Sequence, residues 1–140
     1  MSDQKRFSNK VIIVTGAAQG IGRGVAVQAA AEGAQVVLVD RSEYVTEVLA
    51  EITAAGGDAI TVNTDLEVLA GAQTVVAHTL KAYGRIDTLI NNVGGAIWMK
   101  PFQEFSEEEI IKEVGRSLFP TLWCCRAVLP EMIKNQAGTI

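Results

Sequence analysis

Short apolar runs alternate along the chain with longer stretches whose apolar residues recur at helical spacing. Val11 to Val14 is a β-branched run closed by Gly16. Gly22 to Glu32 is rich in alanine and is followed by Gly33, the pattern of a helix with a glycine stop. Val36 to Val39 reads as a second strand. Ser42 can then cap a helix carrying Val45, Val48, Leu49 and Ile52 on one face, ended by Gly56-Gly57. Ala59 to Val62 is a third short strand, and Glu67 to Tyr83 a helix with Leu69, Ala72, Val75, Val76 and Leu80 on one side. Ile86 to Ile90 is a fourth strand, followed by a glycine-bearing loop from Asn92 to Glu104. Ser106 and Glu109 have the spacing of a capping box, which opens a long helix running to about Met132. Pro120 lies inside that helix and should kink it or lengthen a turn. Gly138-Thr139-Ile140 reads as the first residues of a fifth strand.

Strands that alternate with helices in this rhythm are parallel and joined by right-handed crossovers. Continuous apolar runs, without in–out alternation, fit strands covered on both faces. The expected fold is therefore α/β: a Rossmann-type doubly wound parallel sheet with helices on both faces, cut at the start of its fifth strand. Residues 1–140 are expected to form a single dinucleotide-binding domain, C-terminally incomplete. A ligand of such a sheet sits at the carboxyl ends of the strands.

Composition narrows the partners. The formal net charge of −4 argues against nucleic acid or an anionic membrane as the main partner, but not against a nucleotide held by backbone amides. No apolar run is long enough to span a bilayer. The segment Met1 to Asn9 is polar and lacks the apolar core of a signal peptide. Cys124 and Cys125 are sequence neighbours, which do not form an ordinary disulfide with each other, and they fit a reducing compartment. The expected location is the cytoplasm. No metal site is assigned, and the single histidine, His78, falls on the exposed side of its helix.

The strongest local signal is Thr15-Gly16-Ala17-Ala18-Gln19-Gly20-Ile21-Gly22, placed between the first strand and the first helix. Gly16 permits a tight turn. Gly20 lets the backbone approach a pyrophosphate, and Gly22 lets the helix pack close to the sheet. With Gln19 and Ile21, these residues would present free amides and the positive end of a helix dipole to phosphates. The plain alternative is a glycine-rich turn that binds nothing. Asp40 ends the second strand, where a carboxylate accepts hydrogen bonds from adenosine ribose hydroxyls and repels a 2′-phosphate. It could equally cap the next helix. Arg41 follows it and could pair with a 2′-phosphate, stack on adenine or face solvent.

The spacing Thr-Gly-x3-Gly-x-Gly resembles the cofactor motif of the short-chain dehydrogenase/reductase family. Asp65-Leu66 resembles that family's adenine-contacting pair, Asn91-Asn92-Val93-Gly94 its Asn-Asn-Ala-Gly motif, and Arg126 to Pro130 the end of its long helix. The likeness covers the whole chain. It implies an NAD-dependent enzyme acting on a small-molecule substrate, with Asp65, Leu66, Asn92, Val93 and Gly94 joining the glycine turn, Asp40 and Arg41 around the cofactor. It also implies a homotetramer built through the helix from Ser106 to Met132, which carries Ile110, Ile111, Val114, Leu118, Leu122 and Trp123. Two positions depart from the pattern. Val93 replaces the usual alanine, and Ser117 stands where most members have the asparagine that holds a relay water, which leaves that role open.

Within the family, Asn91 to Phe102 and Arg116 to Pro130 are similar to the cis-diol dehydrogenases of benzoate and toluate breakdown. That likeness implies oxidation of a cis-diol cyclohexadiene carboxylate to a catechol, with carbon dioxide lost from the β-keto acid formed on the way. Lys100 and Arg116 are the cations near the site edge, each expected as a solvated surface charge, and Trp98 and Phe102 are candidates for an apolar wall. The family takes the alcohol proton with a Tyr-x-x-x-Lys pair and orients substrate with a serine after the fifth strand. Neither Tyr44 nor Tyr83 has a lysine four residues on, so no catalytic residue is assigned, and the fragment alone is expected to be inactive. The readings that remain open beside this one are a dehydrogenase for another alcohol and a nucleotide-sensing module without chemistry.

Overall fold

The computed structural model describes residues 5–140, so Met1–Gln4 of the polar amino-terminal segment lie outside it. Four parallel strands form one sheet: β1 (Val11–Thr15), β2 (Gln35–Asp40), β3 (Asp58–Asn63) and β4 (Thr88–Ile90), in the order β3-β2-β1-β4. The order reverses beside β1, because β2 lies on one side of it and β4 on the other. This is the switch point at which doubly wound sheets open a crevice. Thr139 bridges Thr88 in parallel beyond β4, the start of a fifth strand as the sequence led us to expect.

Helices α1 (Gly20–Ala31), α2 (Val45–Ala54), α3 (Leu69–Tyr83), α4 (Glu107–Ser117) and α5 (Phe119–Lys134) cover both faces. The strand side chains alternate between two cores. Ile12, Val14, Val36 and Leu38 pack with alanines of α1 and with Val45, Val48 and Ile52 of α2. Val11, Ile13, Val37 and Val39 pack with Ala72 and Val75 of α3 and with Cys124, Val128 and Met132 of α5. β1 is buried at all five positions, which explains a run without alternation.

Several element boundaries differ from the sequence reading, among them the start of α1 and the extent of the long helix. α1 begins at Gly20, two residues earlier than expected, so the glycine turn is partly its first turn. The long helix is two helices. The capping box forms as expected, with Glu109 N donating to Ser106 Oγ and Ser106 N to the Glu109 carboxylate. α4 then ends at Ser117, and α5 starts at Phe119 with Pro120 in its first turn. Pro120 has no N–H to donate to the preceding turn, and its ring is tolerated at a helix start. The chain therefore restarts the helix at Leu118 instead of bending one continuous helix.

Candidate cofactor site

At the carboxyl ends of β1, β2 and β4 lies a cavity of about 480 Å³. Its lining includes Gly16, Gln19, Gly20, Ile21, Asp40, Arg41, Asp65, Leu66, Asn92, Val93 and Gly94. Of the cofactor residues expected from the sequence, only Gly22 is absent from this wall; it is buried beneath the turn. A Cβ there would overlap the Gly16 carbonyl oxygen and lie 2.6 Å from Asn92 Nδ2. Gly22 thus permits the turn to fold back over the helix start, a narrower role than helix-to-sheet packing.

Asn92 stitches this corner together. Its Nδ2 donates to the Thr15 and Gly16 carbonyls, each at 3.2 Å. The buried Thr15 hydroxyl accepts from Asn92 N at 2.9 Å and Val93 N at 3.2 Å, and donates to the Ile90 carbonyl at 3.2 Å. The glycine turn after β1 and the loop after β4 are therefore one bonded unit. Asn91, in contrast, turns to α5, with Nδ2 3.5 Å from Cys125 Sγ.

The helix start is built for an anion. The first bond into α1 runs from Arg23 N to the Gln19 carbonyl at 3.2 Å, so the amides of Gly20, Ile21 and Gly22 have no acceptor within the helix. Gln19 makes no side-chain cap. Gly20 has φ +57°, and nothing lies within 4 Å of where its Cβ would point, so the approach to these amides is open. Free amides at the positive end of a helix of 12 residues suit a phosphate.

Asp40 sits at the other end. One carboxylate oxygen accepts from Ala18 N at 3.0 Å and the other from Ser42 N at 2.9 Å. These bonds fix its orientation and leave each oxygen with a further lone pair toward the cavity, the capacity a ribose diol requires. Asp40 does not cap α2, whose N-cap is Tyr44; it closes the turn that precedes that helix and lines the cleft. Arg41 Nη1 lies 3.5 Å from Glu67 Oε1.

Ser42, Thr64 and Glu67 also line the cavity and were not placed there by the sequence reading, and Arg116, expected near the site edge, lines it too. Glu67 follows Asp65-Leu66 directly, so its position was the accessible signal. Arg116 is half-buried in the cleft wall, not a fully solvated charge as expected. Lys100 is held by both Glu109 oxygens at 2.7 and 2.8 Å and lies 5.1 Å from the Phe105 ring centroid, so its charge is already matched. Trp98 and Phe102 do not line the cleft; both pack on Phe105, at ring-centroid distances of 6.4 and 6.1 Å. Ser117 fastens the loop by donating to the Gly95 carbonyl and accepting from Gly95 N, at 3.2 and 3.3 Å. His78 is exposed, with Nδ1 2.9 Å from the Thr74 carbonyl of its own helix. Among the described residues no cluster of His, Cys, Asp or Glu could hold a metal ion, and no helix is long and apolar enough to cross a membrane.

A doubly wound sheet with this glycine turn and acidic strand end defines a nucleotide-binding oxidoreductase scaffold. The profile of the family described as short chain dehydrogenase matches residues 10–140, and the chain belongs to that family. It is 69% identical over 140 residues to a 1,6-dihydroxycyclohexa-2,4-diene-1-carboxylate dehydrogenase of Acinetobacter baylyi, covering 100% of this chain and 54% of that protein. It is 54% identical over 136 residues to the protein of the same name from Pseudomonas putida, covering 97% of this chain and 50% of that one. The chain thus spans about half the length of the curated relatives it matches. Among solved structures, 7 α-hydroxysteroid dehydrogenase complexed with NADH and 7-oxo glycochenodeoxycholic acid superposes with a TM-score of 0.89 at 31% identity, covering 100% of this chain and 56% of that one. A metagenomic short-chain oxidoreductase in complex with NADP superposes with a TM-score of 0.87 at 34% identity, covering 94% and 60%. Membership of this family and the dehydrogenase names of these relatives support an enzyme.

Proposed function

We propose that the full-length protein uses NAD to oxidise 1,6-dihydroxycyclohexa-2,4-diene-1-carboxylate to catechol, with release of carbon dioxide, in benzoate breakdown. The observation that carries this reading is the 69% identity to a dehydrogenase of that substrate, maintained over all 140 residues. In this reading the Gly20–Gly22 amides receive the pyrophosphate and Asp40 the adenosine ribose. Asp65 and Leu66 border adenine, and Asn92, Val93 and Gly94 form the floor near the nicotinamide ribose. The acidic Asp40 favours NAD over its 2′-phosphorylated form. Bound NAD supplies the hydride acceptor.

The chemistry balances without a further oxidant. The secondary carbinol would give up a hydride, for which bound NAD would be the acceptor, and its hydroxyl proton to a base, leaving a ketone β to the carboxylate. The carboxylate leaves as carbon dioxide, and its bonding electrons become an enolate. That oxygen takes back the proton, and the product is the aromatic catechol, so aromatisation drives the sequence. This chain's contribution is to bind and orient; we assign no catalytic acid or base among the 140 residues. The same reading places residues 1–140 in a single dinucleotide-binding domain of a cytoplasmic homotetramer. Two unpaired thiols, one buried, accord with a reducing compartment.

The test is NADH formation from this diol by the 140-residue chain and by a chain extended to the length of its relatives. The extended chain should turn over and the short chain should not. Turnover by the short chain would overturn the assignment of catalysis to residues outside it. An extended chain that ignores this diol but oxidises another alcohol would overturn the substrate.

A further inference from the structure

We propose that Glu67 is a second determinant of cofactor choice: it occupies Arg41 and so denies a 2′-phosphate the one cation at the adenosine end. The inference rests on the reading that this cleft takes NAD. Four ionisable side chains line that end: Asp40, Arg41, Asp65 and Glu67. Arg41 is the only cation among them, and it directly follows the carboxylate that faces the ribose. Left to itself, a guanidinium there would pair well with a phosphate, because its planar fork matches phosphate oxygens. Glu67 Oε1 instead stands 3.5 Å from Arg41 Nη1.

An exposed pair of this kind ordinarily contributes little, because two long side chains must be ordered to make it. Here the backbone beneath each partner is held. The Arg41 carbonyl accepts from Asn63 Nδ2 at 3.2 Å. Glu67 N donates to Asp65 Oδ1 at 2.9 Å, and the Glu67 carbonyl accepts from the Trp123 indole N–H at 3.2 Å. Trp123 belongs to α5 and packs against the core beneath, so the loop after β3 is tied to that helix. Two bonded loops meet across the adenosine end, and the ion pair closes the gap between them. A 2′-phosphate entering there meets three carboxylates and a guanidinium already in use. A ribose hydroxyl carries no charge and meets only Asp40, which is oriented to receive it.

The experiment is a fluorescence titration of NADH and NADPH binding to the full-length protein and to two variants, with folding checked by circular dichroism. Glu67→Gln keeps the size and the backbone bonds while removing the charge. It should tighten NADPH binding about fivefold or more and leave NADH within about twofold, with the gain shrinking at high salt. Glu67→Gln combined with Arg41→Gln should lose that gain, because the released guanidinium is what the phosphate uses. If Glu67→Gln leaves NADPH affinity unchanged in a protein that prefers NADH, Glu67 has no such role and the NAD assignment stands. A gain that survives in the double variant would also overturn the proposal. A parent protein that binds NADPH as tightly as NADH would overturn the NAD reading itself.

Discussion

Gly20 and Gly22, two positions apart, differ in what surrounds them. Gly20 lies at φ +57° with open space ahead of its absent Cβ. Gly22 is buried, and its absent Cβ would collide with the Gly16 carbonyl and Asn92. Gly20→Val should therefore cost only the strain of a left-handed conformation, about 1–2 kcal/mol, while its branched side chain projects toward the phosphate amides and raises the NADH dissociation constant about tenfold or more. Gly22→Ala should do the reverse first: it should lower the melting temperature by more than Gly20→Val, since backbone must move to admit one methyl group. Thermal melts and NADH titrations of the two variants would settle this, and equal effects would mean that the turn is purely structural. The glycine spacing was legible because it encodes backbone, and backbone needs follow from local sequence. The fate of side chains was not. Lys100 finds Glu109 nine residues on, and Arg41 finds Glu67 after an intervening strand and helix. Such pairings belong to tertiary structure, so neither charge could be judged solvated or engaged beforehand.

Strand and helix identities followed from periodicity, but their ends followed from single hydrogen-bonding groups. The fourth strand was expected from Ile86 and starts at Thr88, just after Asp87, whose side chain ties two strand entries together. Its Oδ2 accepts from Val11 N at 2.9 Å, and it pairs with Arg85 at 2.6 Å and Lys10 at 3.5 Å. It thereby clamps the entry of β1 to the entry of β4. Burial pushes this carboxyl up, yet the hydrogen bonds from Arg85 and Val11 N and the charges of Arg85 and Lys10 outweigh it and hold the group below the usual carboxylate range. A carboxyl whose value falls on folding stabilises the fold above its unfolded value, about 3.9, and loses that contribution as pH falls through the folded value. Asp87→Asn should cost about 1–2 kcal/mol at neutral pH, and the gap from the parent should narrow as pH falls below the unfolded value and through the folded one. Urea melts from neutral pH down to about pH 2 would check it; a gap that persists unchanged in acid would show that the clamp does not depend on charge. The break at Leu118 has a similar local origin. The sequence marked Pro120 as a disturbance, but whether a proline bends a helix or begins a new one depends on whether the preceding turn can end, which periodicity does not record.

The two faces of the α4–α5 unit bear on assembly. Pro120, Cys124, Val128 and Met132, spaced by four, are the residues of α5 buried against the sheet. Ile111, Val114, Leu118, Leu122, Leu129 and Ile133 recur at steps of three, four and seven, and are between 38% and 70% exposed. An apolar stripe that runs through the break and carries on along the next helix is more than scattered surface hydrophobes, and a stripe of that kind marks an interaction face. Trp123, named among the helix's apolar residues without a side, packs inward, with Phe119 5.6 Å from it between ring centroids. If the proposed tetramer forms through this stripe, Leu118→Glu with Leu122→Glu should place unpaired carboxylates at its middle while leaving the inward face of α5 untouched. A buried unpaired charge is far more costly than an exposed one. The full-length variant should then sediment as monomers or dimers at micromolar concentration, with circular dichroism like the parent's, while the parent sediments as a tetramer. A tetrameric variant would move the interface elsewhere on the molecule. A parent that is monomeric under the same conditions would remove the tetramer altogether, and the stripe would then have to be covered by the protein's own chain.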